Sequence, residues 1–124
     1  MDDTVDFRAT LVDLLETVDG VEVVGQAESG EQAARVATLT RADVVILDLR
    51  MPVTGWAALS ALRRSRPLTK IIVLTASGEE LQQEAMRAGA DAFVRKVGRR
   101  DLLEELTDAL RRVTGLDVTS RNQG

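Results

Sequence analysis

The sequence has no cysteine and no histidine, and only two prolines among its 124 residues. Without cysteine there is no disulfide framework, no thiol nucleophile and no thiolate-bound zinc. Without histidine, imidazole acid–base catalysis is excluded. Positive charge is not in excess either: 16 Lys and Arg stand against 20 Asp and Glu, a net charge of −4. A nucleic-acid surface depends on clustered Lys and Arg that release counterions, so no direct nucleic-acid binding is expected. No apolar run approaches the ~20 residues that span a bilayer, and the acidic N-terminus lacks the basic and apolar regions of a signal peptide. A cytoplasmic protein without membrane contact is expected.

What is present suits one compact domain, since a hydrophobic content of 44% over 124 residues leaves no room for two. Helical and strand periods alternate with short breaks, the rhythm of stacked βα units in an open α/β sheet. Phe7, Leu11, Leu14, Leu15 and Val18 share a helical face that Gly20 closes, and a strand is predicted at Val21-Glu22-Val23-Val24. Ser29 and Gln32 stand at capping-box spacing before a helix running to about Leu39. Val44-Val45-Ile46-Leu47 and Ile71-Ile72-Val73-Leu74 are unbroken apolar runs, as expected of strands covered on both faces. A helix from Gly55 to about Arg66, closed by Pro67, separates them. Another spans Glu79 to Ala88 and ends at Gly89; a short strand, Ala92 to Arg95, follows. Leu102, Leu103, Leu106, Leu110 and Val113 mark the last helix.

Three strands then end in chemistry: Asp48, Thr75 and Lys96 follow directly on apolar or short strand segments. Parallel strands joined by right-handed crossovers deliver such residues to one rim, where ligands of open α/β sheets gather. A carboxylate, a hydroxyl and an ammonium form a phosphoryl site: a nucleophilic oxygen, a hydrogen-bond donor and a charge that offsets the transferred group. Magnesium prefers oxygen ligands, and Asp2-Asp3 supplies a second acidic cluster whose repulsion with Asp48 the cation would relieve.

Asp2-Asp3 before the first helix, Asp48 followed by Met51-Pro52 and Gly55, Thr75-Ala76, and Phe93 three residues before Lys96 occur in one order. With them the chain, from Asp2 through Val113, resembles a response-regulator receiver domain, the phosphoacceptor module of two-component signalling. The stretch from Val21 to Ala33 is similar to receivers usually followed by a helix-turn-helix DNA-binding domain; no such domain is expected within these 124 residues. The resemblance implies a doubly wound parallel sheet of the flavodoxin-like (βα)5 type, with the domain at residues 1–115 and a C-terminal tail at 116–124. It implies phosphoryl transfer from a sensor histidine kinase or phosphotransfer protein to Asp48. Magnesium would be held by Asp3, Asp48 and the backbone carbonyl of Arg50, with Asp2 in support, and Lys96 would pair with phosphoryl oxygens. Thr75 and Phe93 would form the switch that alters a face used for homodimerisation or for docking a downstream effector. The receiver would be no enzyme beyond its own phosphorylation and dephosphorylation. The rival reading is a pseudo-receiver, an interaction domain independent of phosphorylation.

Blander roles exist for each residue taken singly. Asp2-Asp3 suits a helix N-terminus through the macrodipole, Lys96 a surface, Thr75 a strand end and Phe93 a core. Trp56 is expected to pack at the core or its rim, and the pairs Arg99-Arg100 and Arg111-Arg112 to form a solvated surface. Only the joint order favours the site.

The sequence departs from the family pattern in three places. The usual first strand is absent, because the acidic pair stands at positions 2 and 3. In the family that strand lies between the second and third. Five buried apolar side chains at about 1.5–3 kcal/mol each equal a domain's whole stability, so the slot is expected to be filled. The tail Leu116-Asp117-Val118-Thr119 or a strand from another subunit would serve. Lys96 is followed by Val97 instead of proline, leaving the turn to Gly98. Arg50 and Ser77, each two residues beyond a site residue, stand where the family tunes phosphoryl lifetime.

Overall fold

The computed structural model describes residues 3–27, 30–48, 52–75, 79–95, 99–115 and 119–120. Its elements follow as α1 (Asp3–Glu16), β1 (Val18–Asp19), α2 (Gly30–Thr40), β2 (Val44–Asp48), α3 (Pro52–Ser65), β3 (Lys70–Thr75), α4 (Glu79–Arg87), β4 (Ala92–Arg95), α5 (Arg99–Thr114) and β5 (Thr119–Ser120). Strands β2, β3 and β4 form a parallel sheet in that order, Val44 facing Lys70 and Ile72 facing Ala92.

The two apolar runs do what their lack of alternation requires. Ile71, Ile72, Val73 and Leu74 are all fully buried, with odd and even residues serving different layers. Ile72 and Leu74 join Leu14, Leu15, Val18, Ala92, Val94, Leu102, Leu106, Ala109 and Leu110, a core built from α1, the sheet and α5. Ile71 and Val73 join Ala37, Leu59, Leu62, Ala85 and Ala90, a core built from α2, α3 and α4. Helices therefore cover both faces, the doubly wound arrangement. In α5 the buried positions 102, 106, 109 and 110 recur at helical spacing, and Leu103 and Val113 flank them half-buried.

Helix ends follow from local chemistry. Pro52 opens α3, where a missing N–H costs nothing, so this helix starts three residues before Gly55. Gly89, at φ 116°, ends α4: its N–H donates to the Met86 carbonyl (3.3 Å) and the Ala90 N–H to the Ala85 carbonyl (3.0 Å). That pairing is a Schellman motif. The same motif ends α2 with Arg41, a non-glycine residue at φ 56°, beside the bond from the Ala42 N–H to the Ala37 carbonyl (3.1 Å).

Three sequence expectations are corrected. Val21-Glu22-Val23-Val24 is not a strand; residues 21–27 carry no regular structure. Val21 and Val23 still pack onto the first core, so alternation predicted their burial, but a strand also needs a hydrogen-bonded neighbour and among the described residues none pairs with this segment. Gly25 lies so close to α2 that a Cβ would meet Val36 Cγ1 at 2.5 Å. Val18, expected on the first helix, instead begins β1, 1% exposed. The tail does return to the domain, yet Thr119 and Ser120 pair antiparallel with Asp19 and Val18, not with β2. Among the described residues β2 is paired on one side only. Leu116, Asp117 and Val118 lie outside the described residues.

Candidate functional site at the carboxyl rim of the sheet

The parallel register brings Asp48 and Thr75 to one rim at the level of the backbone. Asp48 is the last residue of β2 and pairs with Leu74; Thr75 is the last residue of β3 and pairs with Arg95, the last of β4. The positions of Asp48 and Thr75 are thus one residue out of step on adjacent strands, and Lys96 is the next residue after β4. Asp3 is the first residue of α1. Asp2, Arg50 and Lys96 lie outside the described residues, as do Ser77, Val97, Gly98 and the predicted cap Ser29; of Asp3, Asp48 and Thr75 the backbone alone is described.

The three strands end together because each is a short run bounded by a helix, and each crossover returns the chain to the same starting margin. Lys70 N–H donates to the Asp43 carbonyl (2.9 Å) and Asp91 N–H to the Ile71 carbonyl (2.8 Å), which sets the stagger before the strands proper begin. Phe93 sits on β4 between buried Ala92 and Val94, and its ring packs, half-buried, against the second core. It is the one predicted switch residue whose surroundings are described, and it lies on the side of the sheet that α4 covers.

The opposite margin carries an organised polar cluster that no motif announced. Arg63, near the end of α3, donates to the carbonyls of Gly89, Pro67 and Thr69 and to Asp91 Oδ2. These partners are scattered over 28 residues and meet only in three dimensions, so spacing gave no signal. The cluster ties the loops that feed β3 and β4, and so fixes where their far ends emerge. The pair Arg111 and Asp108 on α5 is an exposed i,i+3 contact, in keeping with a solvated surface.

Comparisons with known proteins agree with this architecture. Residues 1–108 match the family described as response regulator receiver domain. The chain is 35% identical over 108 residues to the response regulator GacA of Pseudomonas aeruginosa, covering 86% of this chain and 49% of that protein. It is 37% identical over 91 residues to the response regulator UvrY of Escherichia coli, covering 72% of this chain and 42% of that protein. It therefore spans about half the length, or less, of these relatives. Among solved structures, the response regulator domain of Thermotoga maritima CheB superposes with a TM-score of 0.80 at 28% identity, covering 94% of this chain and 93% of that one. The signal receiver domain of NarL from Mycobacterium tuberculosis gives 0.72 at 29% identity, covering 89% and 91%. Among the described residues no helix is long and apolar enough to cross a membrane. With a doubly wound sheet and a family match over most of its length, the chain belongs to the receiver domains of two-component response regulators.

Proposed function

We propose that the chain is a phosphoacceptor that switches a protein-interaction surface. The observation that supports this most is the rim itself: β2 and β3 end at Asp48 and Thr75 on paired strands, and Lys96 follows β4. An Asp48 carboxylate oxygen attacks the phosphorus of a kinase's phosphohistidine; the P–N bond breaks and the imidazole leaves with the electron pair. Lys96 offsets charge on the equatorial oxygens, and the Thr75 hydroxyl donates to the new phosphoryl group. Hard oxygen donors from Asp3, Asp48 and the Arg50 carbonyl, with Asp2 nearby, suit magnesium by chemistry. When bound, the cation neutralises charge between acceptor and donor oxygens.

The modification adds negative charge at the end of β2, and the movement of Thr75 leaves space into which the Phe93 ring turns. Phe93 stands on β4 against the second core, so its rearrangement alters the surface of α4, β4 and α5. A downstream effector protein or a second copy reads that surface. The rival reading, an interaction domain that works without phosphorylation, is separated by one experiment. Incubation with acetyl phosphate and magnesium adds one phosphoryl mass to the wild type and none to Asp48→Asn. Absence of the mass gain in folded wild type overturns the phosphoacceptor reading.

A further inference from the structure

The most exposed large apolar side chains among the described residues are Leu68, at 91%, and Leu39, at 77%. Both stand at the amino margin of the sheet, the end away from Asp48 and Thr75. Leu39 lies two residues past buried Ala37, so it projects outward from α2 and away from the second core. Leu68 occupies the turn between α3 and β3, and hydrogen bonds hold that turn on both sides of it. Arg63 Nη1 donates to the carbonyls of Pro67 (2.8 Å) and Thr69 (3.0 Å), and Arg66 Nε donates to Thr69 Oγ1 (2.8 Å). The Thr69 hydroxyl donates to the Ala42 carbonyl (3.4 Å) and the Lys70 N–H to the Asp43 carbonyl (2.9 Å), which joins this turn to the chain leaving α2. A leucine is thereby presented to water on a fixed frame.

The charge around the two leucines is mostly of one sign. Residues 49–78 contain five Arg and Lys and no Asp or Glu, in a chain whose net charge is −4. Arg41, Arg64 and Lys70 are exposed, and none of them is ion-paired among the described residues. A cation in the last turn of α3 suits the helix dipole, which accounts for Arg64 alone. Arg41 is different: at φ 56° it keeps a long side chain in a backbone conformation that glycine would hold at lower cost.

We infer that this margin docks an acidic amphipathic helix of a partner protein, with Leu68 and Leu39 as apolar anchors and Arg41, Arg64 and Lys70 pairing with its carboxylates. The fixed turn lowers the ordering cost of binding, and the guanidinium fork of arginine matches a carboxylate. A bilayer or a nucleic acid is the poorer match. Asp43, exposed between Arg41 and β2, would meet a continuous phosphate surface, whereas a peptide can set an uncharged residue there. Residues 39–43 and 64–70 also carry no aromatic ring on which bases could stack. The surface lies at the far end of the sheet from Asp48, and its use does not depend on phosphorylation.

The probe is a fluorescent peptide of leucine and glutamate patterned as an amphipathic helix, titrated with the full chain and read by anisotropy. Repulsion between two acidic molecules opposes the complex, so binding reports the local patch. The wild type binds the peptide, and more weakly as salt rises. Leu68→Ala and Lys70→Glu each weaken binding by about tenfold, whereas Arg95→Glu, the same kind of charge reversal at the other end of the sheet, weakens it by less than about twofold. Arg41→Gly weakens binding by about threefold while its urea midpoint does not fall, which separates a lost contact from a lost fold. Phosphatidylserine vesicles and a DNA duplex are titrated in parallel. A peptide that fails to bind at low salt overturns the inference, and so does binding that either Leu68→Ala or Lys70→Glu leaves unchanged. Vesicles or duplex bound in place of the peptide overturn it as well.

Discussion

Arg63 Nη2 donates to Asp91 Oδ2 at 2.7 Å, and the same carboxylate oxygen accepts the backbone N–H of Ile71 at 2.8 Å. One carboxylate thereby joins the end of α3 to the first buried residue of β3. Both side chains are a little over a quarter exposed, so solvent screens the ion pair, but the four further bonds of Arg63 to carbonyls remain. Arg63→Ala is expected to lower stability by about 2 kcal/mol, in line with the loss of charge-assisted hydrogen bonds to partly buried groups. Urea denaturation checks this, and Arg63→Lys, which lacks the planar fork, should recover less than half of the loss.

Arg41 holds the left-handed position that ends α2, where side-chain-bearing residues lose about 1–2 kcal/mol relative to glycine. Glycine gains chain entropy when unfolded, which offsets part of that difference. Arg41→Gly should therefore raise stability by about 0.5–1 kcal/mol, read as a higher urea midpoint with an unchanged slope.

Among the described residues the tail pairs with the chain over Val18–Asp19 and Thr119–Ser120. Truncation after Gly115 removes that short ladder. It is expected to cost about 1–2 kcal/mol, the worth of one or two backbone bonds, and to leave a folded domain. Calorimetry that shows an unfolded truncated chain would mean the tail carries more of the fold than the ladder does.

If Lys96 offsets phosphoryl charge, Lys96→Met should slow phosphoryl gain from acetyl phosphate by about 10²-fold while circular dichroism stays native. Arg50→Ala should change the half-life of the phosphorylated protein without removing Asp48 as acceptor. Intact-mass time courses read both variants. An unchanged half-life rules out an Arg50 contact with the phosphoryl group.

Much of this architecture was legible because the informative residues lie close together in the chain. Ile71 to Leu74 announced a strand covered on both faces, Gly89 a helix end, and Leu102 to Val113 a helix face. The strand ends at Asp48 and Thr75 were legible as well, since strand ends are adjacent to strand interiors. What escaped was whatever depends on a partner distant in sequence. Val21 and Val23 have the alternation of a strand and the burial of one, but alternation cannot supply a neighbour. Val18 continued a helical face by spacing, yet its short pairing with Ser120 places it in β1. The five bonds of Arg63 reach loops that no local pattern links to it.

Since β3 is the middle strand of the sheet between the two cores, its Ile71 and Val73 look one way while Ile72 and Leu74 look the other. A slip of a single residue would send all four into the wrong neighbourhood at once. The amide protons of this strand should therefore be the last to exchange with deuterium, and a tilt of this strand as a unit would be felt in both halves of the molecule at once.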